Sequence, residues 1–428
     1  MVSFEKGVLK VKYEQERFAK RLFEFTFFIN LLTIFLLYRV KNVGSLTGLA
    51  MFGAALLIWT TQKEKRVIIP YNVFWYGVFI LYSASSWLWS TYVASSYLAS
   101  VLKMIIILLM ALGISVYVDT ADDLERLMTI FIFAMLINIG LEFIYVTPSR
   151  WFSGGMGSNI SKFNPNEISF WAVCAEMMCF YKFYMKKNQK LYILLVAFFM
   201  FFAFLSSSRK ATAAAIIAPL MIMFISTFKK SYIFRLFLMA AVAIGLVYLI
   251  MNNENLYASV GVRFQSMLDY FSDDTVKSDG SLTARSALIS IAKEMFYESP
   301  VLGKGMGNFA RIVDIDYGRT FAYAHNNFWQ ILSENGVVGF ILYYSMYVYC
   351  SAKLLKDIIV NKSRMSILYF CFFCLLLVLE WGIVSVNSKS AQIVIAMAYT
   401  ATYVGEDDGR KYKYIENNVN KLEENENE

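Results

Sequence analysis

Residues 93–118 read VASSYLASVLKMIIILLMALGISVYV, an unbroken apolar run with a single charged side chain, Lys103. A helix needs about 20 consecutive, predominantly apolar residues to cross the hydrocarbon core of a bilayer, and this run meets that requirement. Outward from it, further stretches able to span occupy 23–38, 46–59 and 67–89 on the N-terminal side. On the C-terminal side they occupy 127–145, 168–184, 191–205, 211–228, 234–251, 328–350, 366–384 and 391–404. The expectation is about 12 transmembrane helices. Several stretches are shorter than about 17 residues and cross only with flanking residues or tilt.

Composition agrees. Of 428 residues, 58% are hydrophobic and 17% charged, against roughly 45–50% and about 25% in a soluble domain. The fold class expected is an all-α polytopic membrane protein, with one membrane domain over 1–404 and an acidic, solvated tail over 405–428. The net charge of +8 is accounted for by basic loops that set topology, so the bilayer is an expected partner and nucleic acid is not. Cys174, Cys179, Cys350, Cys371 and Cys374 are odd in number and lie in apolar segments, so no disulfide framework is implied. The CxxC spacing of Cys371 and Cys374 falls in CFFCLLLVLE and reads as a buried helix face rather than a redox or zinc site.

Lysine and arginine collect in the segment 1–22 and in alternate loops around Lys63, Lys182 to Lys190, Lys229 and Lys353 to Arg364. By the positive-inside rule those loops and both termini face the cytoplasm. The polar, basic start of the chain is not the layout of a cleaved signal peptide. The loop 119–126 is placed inside although it is acidic, since acidic residues carry little topological weight.

The largest loop, 252–327, is expected outside and is far longer than a median connection of about 4–6 residues. Within it LTARSALISIAKEMFYESP puts Ala284, Leu288, Ala292 and Phe296 on one stripe, which predicts an amphipathic helix on the membrane face, ended by Pro300. Gly303, Gly305 and Gly307 then read as a tight turn, because neither a preceding strand nor a following helix is expected that would make them a phosphate fingerprint.

Candidate chemistry concentrates around this loop. His325, the one histidine of the chain, precedes a helix for which Asn326 or Asn327 is the expected N-cap. The positive end of that helix favours a neutral imidazole able to accept a proton. Arg209 follows three serines at the outer mouth of two spans, and Arg285 lies at the edge of the amphipathic helix. Two such guanidinium groups near one cavity would suit a diphosphate. Ser206, Ser207 and Ser208 have no adjacent base, which argues against a serine nucleophile. Asp314 with Asp316, and Asp273 with Asp274, have spacings that can hold a divalent metal, but acids are common in polar loops and no metal is expected. Glu24, Glu142, Glu176, Glu380 and Lys103 are the ionisable residues of the spans; most lie near span ends, where snorkelling explains them.

Four motifs in order, FNPNE (163–167), SSSRKA (206–211), LTARSALISIAKEMFYESPVLGKGMGNF (282–309) and HNNFWQILSENGVVG (325–339), resemble the bacterial O-antigen polymerase and O-antigen ligase superfamily. The motif region is 163–339. The resemblance implies a GT-C-like membrane fold in which a large extracytoplasmic loop covers the site, in the bacterial cytoplasmic membrane. It implies transfer of a glycan from undecaprenyl diphosphate to an acceptor hydroxyl, without cofactor or metal. The implied site residues are Arg209, Arg285 and His325 as catalytic groups, with Lys210, Arg263, Asn326 and Asn166 as further substrate contacts. The implied partners are the lipid-linked donor, a glycan or lipid-linked acceptor, and a chain-length regulator. The expected activity is polymerisation of repeat units for O-antigen, capsule or exopolysaccharide, with ligation of finished glycan as the alternative. A lipid-linked glycan transporter is a third reading, but the repeats or paired midplane charges it needs are not evident in the sequence.

Overall fold

The computed structural model describes residues 2–37, 40, 42–61, 69–90, 92, 97–153, 156, 165–186, 190–206, 208–226, 245, 248, 251–253, 257, 261, 265, 280–318 and 323–404, with backbone only for 2–13, 209 and 280–283. Most of the expected span 234–251, together with Arg263, Asp273, Asp274, Ser207, the start of FNPNE and the tail 405–428, lies outside these residues.

The described residues are helical, without a strand among them. In chain order the helices are α1 (Val2–Leu36), α2 (Val43–Thr61), α3 (Tyr71–Ser85), α4 (Tyr97–Tyr117), α5 (Ala121–Tyr145), α6 (Pro165–Met185), α7 (Tyr192–Leu205) and α8 (Arg209–Ser226). They continue with α9 (Gly280–Glu298), α10 (Asn308–Tyr317), α11 (Asn327–Asn361), α12 (Arg364–Leu379) and α13 (Lys389–Ala401). Among the described residues α2, α4, α5 and α11 are long and apolar enough to cross a membrane, and α7, α12 and the segment Lys210–Ser226 of α8 are shorter apolar helices. This is the architecture of a helical membrane protein. The end of α7 follows from the sequence, since it stops at the serines, and α8 runs on through Pro219.

Periodicity decides which faces are buried. In α1, Ala19, Phe23, Phe27 and Leu31 recur every four residues and are buried where the helix packs on α2 and α5. In α4, Met104, Ile107, Met110, Ala111 and Ile114 form the equivalent stripe against α2, α3 and α13. Helix α6 is buried without interruption from Ile168 to Lys182 and is the centre around which α5, α7, α8 and α12 gather.

One end of the bundle is tied by charge. Asp123 completes a capping box with Thr120 at the start of α5 and pairs with Lys20 at 3.0 Å. Glu125 meets Lys186 at 2.5 Å and Lys182 at 3.8 Å, and Arg126 meets Glu24 at 3.6 Å. The acids of the loop 119–126 are therefore partners of the basic residues beside them. The basic segment around Lys20, the acidic loop and the Lys182–Lys186 segment share one end of the molecule.

The other end carries the described residues of the long loop 252–327. The apolar stripe of α9, Leu288, Ile291, Ala292 and Met295, forms a small core with Phe309, Val313 and Ala324. The glycine turn is followed by a helix after all: Gly307 is the N-cap of α10, contrary to the sequence expectation. The helix preceding the turn is α9, so the strand of a phosphate fingerprint is still lacking.

Candidate functional site

A cavity of about 560 Å³ opens where α1, α4, α6, α9 and α13 converge with the turns 323–326 and 382–388. His325 and Arg285 both line it, although they come from different helices' ends. His325 is half-buried and has a positive φ of 54°, a conformation uncommon for a residue with a Cβ. The Tyr323 ring lies 4.0 Å from the imidazole, centroid to centroid. Burial, then the charge of Arg285, then that of Lys210 push the imidazole down to about 4, so it is neutral at pH 7.

Lys210 is the second residue of α8, directly after the serine turn, where Ser208 Oγ accepts from Ala211 N at 3.4 Å. Its Nζ lies against Gly382, in the place a side chain there would occupy. Arg209 begins α8, and its side chain lies outside the described residues. Asn166 lines the cavity from the start of α6. Of the two asparagines after His325, Asn326 is the cap: its Oδ1 accepts from Trp329 N at 3.1 Å, and the residue is buried. The geometry thus gives Asn326 a local structural task. Asp314 pairs with Arg311 at 3.3 Å within α10.

Asn327 holds the His325 turn to the opposite wall. Its N–H donates to Glu380 O at 2.8 Å, and its Oδ1 accepts from Ser385 N at 3.0 Å and Val386 N at 3.1 Å. Its Nδ2 donates to Tyr344 Oη at 2.9 Å, which in turn donates to Glu380 Oε2 at 2.8 Å. Tyr347 Oη and Ser385 Oγ donate to Glu380 Oε1. Glu380 is fully buried, so each of these bonds satisfies a group that water does not reach. The sequence places Glu380 near a span end, where snorkelling explains it; the fold instead surrounds it with two hydroxyls from α11 and that of Ser385.

The turn after α9 is stitched to the kink of α11. Lys304 N donates to Ser333 O at 2.9 Å, Gly305 N to Glu334 O at 2.8 Å and Val337 N to Pro300 O at 2.9 Å. Tyr82 Oη from α3 donates to Asn335 O at 2.9 Å, and Asn335 Nδ2 donates to Ser83 Oγ at 3.0 Å. Ala324 N donates to Gln330 Oε1 at 2.8 Å, which anchors the turn that carries His325.

The sequence reading missed Lys389 and Glu167 as site residues and gave Lys103 a different reading; all three line the same cavity. Two signals were present: lysines at or within apolar runs, and the acid of FNPNE. Asn387 also lines the cavity, and its Oδ1 is buried without a hydrogen-bond partner among the described residues. An amide oxygen, a carboxylate and serines beside a neutral imidazole can accept and orient hydroxyl groups, while Arg285 and Lys210 supply positive charge for an anion.

The family model described as O-antigen ligase matches residues 193–344, from α7 into α11. The match supports the O-antigen ligase and polymerase superfamily, the family that the ordered motifs resemble. A search of the curated proteins finds no match for the chain.

Proposed function

We propose that the chain polymerises lipid-linked polysaccharide repeat units on the outer face of the cytoplasmic membrane, taking glycan from undecaprenyl diphosphate and passing it to a sugar hydroxyl. The observation that carries the reading is the meeting of His325 with Arg285 in one cavity, with Lys210 Nζ against Gly382 of the same lining. The acceptor oxygen forms a bond to the anomeric carbon as the bond from that carbon to the diphosphate oxygen breaks. The electron pair leaves with the diphosphate, and the hydroxyl proton goes to the imidazole. Attack opposite the leaving group inverts the anomeric centre. No metal enters this scheme.

The charges make the step self-consistent. Arg285 and Lys210 lower the affinity of His325 for a proton, and both would be neutralised by a bound diphosphate. Donor binding therefore turns a weak base into a stronger one, while the same cations stabilise the charge that grows on the leaving group. Arg209, one residue before Lys210, is the third cation assigned to the diphosphate, and Asn166 and Asn387 are assigned to sugar hydroxyls. Arg263, which lies in none of the four motifs, is assigned as a further donor contact.

The family description favours a second reading, ligation of a finished chain to another acceptor such as lipid A core, protein or wall polymer. One gel of lipid-linked and surface glycans separates the two. A strain lacking the gene is complemented with the wild type or with His325→Ala at matched expression. A polymerase leaves single repeat units on the lipid in both the deletion and the variant. A ligase leaves long chains on the lipid. Restoration of the wild-type pattern by His325→Ala removes His325 from the mechanism.

A further inference from the structure

Helix α10 begins at Gly307, which has no side chain with which to cap it. The acceptor comes from another helix. The carboxylate of Glu334, in α11, accepts from Phe309 N at 3.2 Å and from the N–H of Gly307. A carboxylate suits this place, because the first N–H groups of a helix have no partner within it and carry the positive end of its dipole. The turn it grips is fixed on its far side as well: Met306 N donates to Ser86 Oγ at 2.9 Å, and Asn308 Oδ1 accepts from Tyr92 N at 3.0 Å.

Glu334 has a third partner. The side chain of Gln330, one turn earlier in α11, also bonds to its carboxylate. Since Gln330 Oε1 accepts from Ala324 N at 2.8 Å, the bond to Glu334 comes from Nε2. The carboxylate therefore fixes which way round the amide lies, with its nitrogen toward Glu334 and its oxygen toward the residue before His325. Glu334, Gln330 and Ala324 are all buried, so water does not compete for these bonds.

His325 needs such support. Its positive φ of 54° is costly for a residue with a Cβ and persists only where the surroundings over-determine it. Asn326 and Asn327 hold the chain after it, and the Gln330 amide holds the chain before it. Neither Gln330 nor Glu334 is among the described residues that line the cavity, so both act through His325 rather than on a substrate.

We propose that Glu334 is a positioning residue for glycan transfer: anchored on the start of α10, it orients the Gln330 amide, which through Ala324 N holds the His325 imidazole at the cavity. The inference rests on the reading of His325 as the base. It adds that one carboxylate ties the place of that base to the α10 turn.

The test is a double-mutant cycle with the full chain in detergent. Single-turnover transfer from a lipid-linked donor is measured for the wild type, Glu334→Gln, His325→Ala and the two combined. Glu334→Gln keeps the shape but leaves one oxygen for three donors. It is expected to slow transfer about 10–100-fold, the scale of a misplacement of about 1 Å. With His325 already alanine, the same change is expected to cost less than about twofold. Equal loss in both backgrounds gives Glu334 a role in folding alone and overturns the proposal, as does wild-type transfer by Glu334→Gln. Gln330→Met cuts the relay while leaving the bonds of Glu334 to α10, and is expected to reproduce the loss.

A second readout does without turnover. The chain has one histidine, so carbethoxylation by diethyl pyrocarbonate, followed at the imidazole, reports on His325 alone. Loosening of its turn is expected to quicken the modification about threefold or more in Glu334→Gln and in Gln330→Met. An unchanged rate overturns the proposal whatever the kinetics. If His325→Ala transfers like the wild type, the reading of His325 as the base fails, and faster carbethoxylation of Glu334→Gln then supports the placement of the imidazole by itself.

Discussion

Gly303 and Gly336 meet backbone to backbone. A Cβ on Gly336 would lie 2.6 Å from Gly303 N, and a Cβ on Gly303 would lie 2.5 Å from Asn335 N. Both glycines have positive φ, 71° and 62°. The contact fixes the kink of α11 at Gly336 against the turn after α9, the helix whose Arg285 lines the cavity. Gly336→Ala and Gly303→Ala are each expected to destabilise the fold by roughly 2 kcal/mol or more, since strain in the left-handed region adds to a backbone clash that no rotamer relieves. Thermal unfolding of the purified variants in detergent, compared with Gly318→Ala, checks this. At Gly318 φ is also positive, but a Cβ meets nothing within 4 Å, so the strain appears there without the clash.

His325→Ala is expected to lower transfer about 10²–10⁴-fold, the usual contribution of a general base, with the fold retained. Single-turnover transfer from a lipid-linked donor measures it. A variant within threefold of wild type would remove the imidazole from the proton transfer.

The pH dependence has a definite sign. The ordinary histidine value of 6.5 falls to about 4 in the folded chain. The folded state therefore gives up this proton more readily than the unfolded state. The stability it contributes is complete above about pH 6.5 and is lost as pH falls toward 4. For catalysis, the acid limb of kcat/KM, which reports the free enzyme, is expected near pH 4. The limb of kcat, which reports the donor-bound state, is expected at higher pH because the diphosphate neutralises Arg285 and Lys210. Coincident limbs would contradict the coupling between donor and base.

Gly382→Ala puts a methyl group where Lys210 Nζ lies, and the lysine, being flexible, is expected to move away. With one of its two depressing charges withdrawn, His325 should titrate at higher pH, so the acid limb of kcat/KM moves upward. The same shift, without a steric cause, is expected for Lys210→Met. Agreement between the two variants is the check.

Glu380→Leu leaves the hydroxyls of Tyr344, Tyr347 and Ser385 without their buried acceptor, at a cost of about 1–3 kcal/mol for each group left unsatisfied. Glu380→Gln keeps the shape and an acceptor oxygen, and is expected to recover much of the stability. Because Asn327 links this network to the turn of His325, the glutamine variant is expected to lower kcat more than it raises KM. A differential scanning measurement paired with steady-state kinetics separates the two effects.

The apolar run 93–118, and its counterparts along the chain, determined a helical membrane protein by themselves, because length and hydrophobicity are local properties of a segment. The stripe of α9, the turn at Gly303 to Gly307 and the cap before α11 were legible for the same reason: each is set by residues three or four apart. Convergence was not legible. That Lys103, Glu167, Arg285, His325 and Lys389 line one cavity depends on how four distant helices and the turn before α11 pack together, and side-chain fit across helices leaves no period in the sequence. Glu380 shows the difference most plainly. At the end of an apolar run its position suggested a side chain reaching for water, and only the packing of α12 against α11 brought the tyrosine hydroxyls that keep it buried.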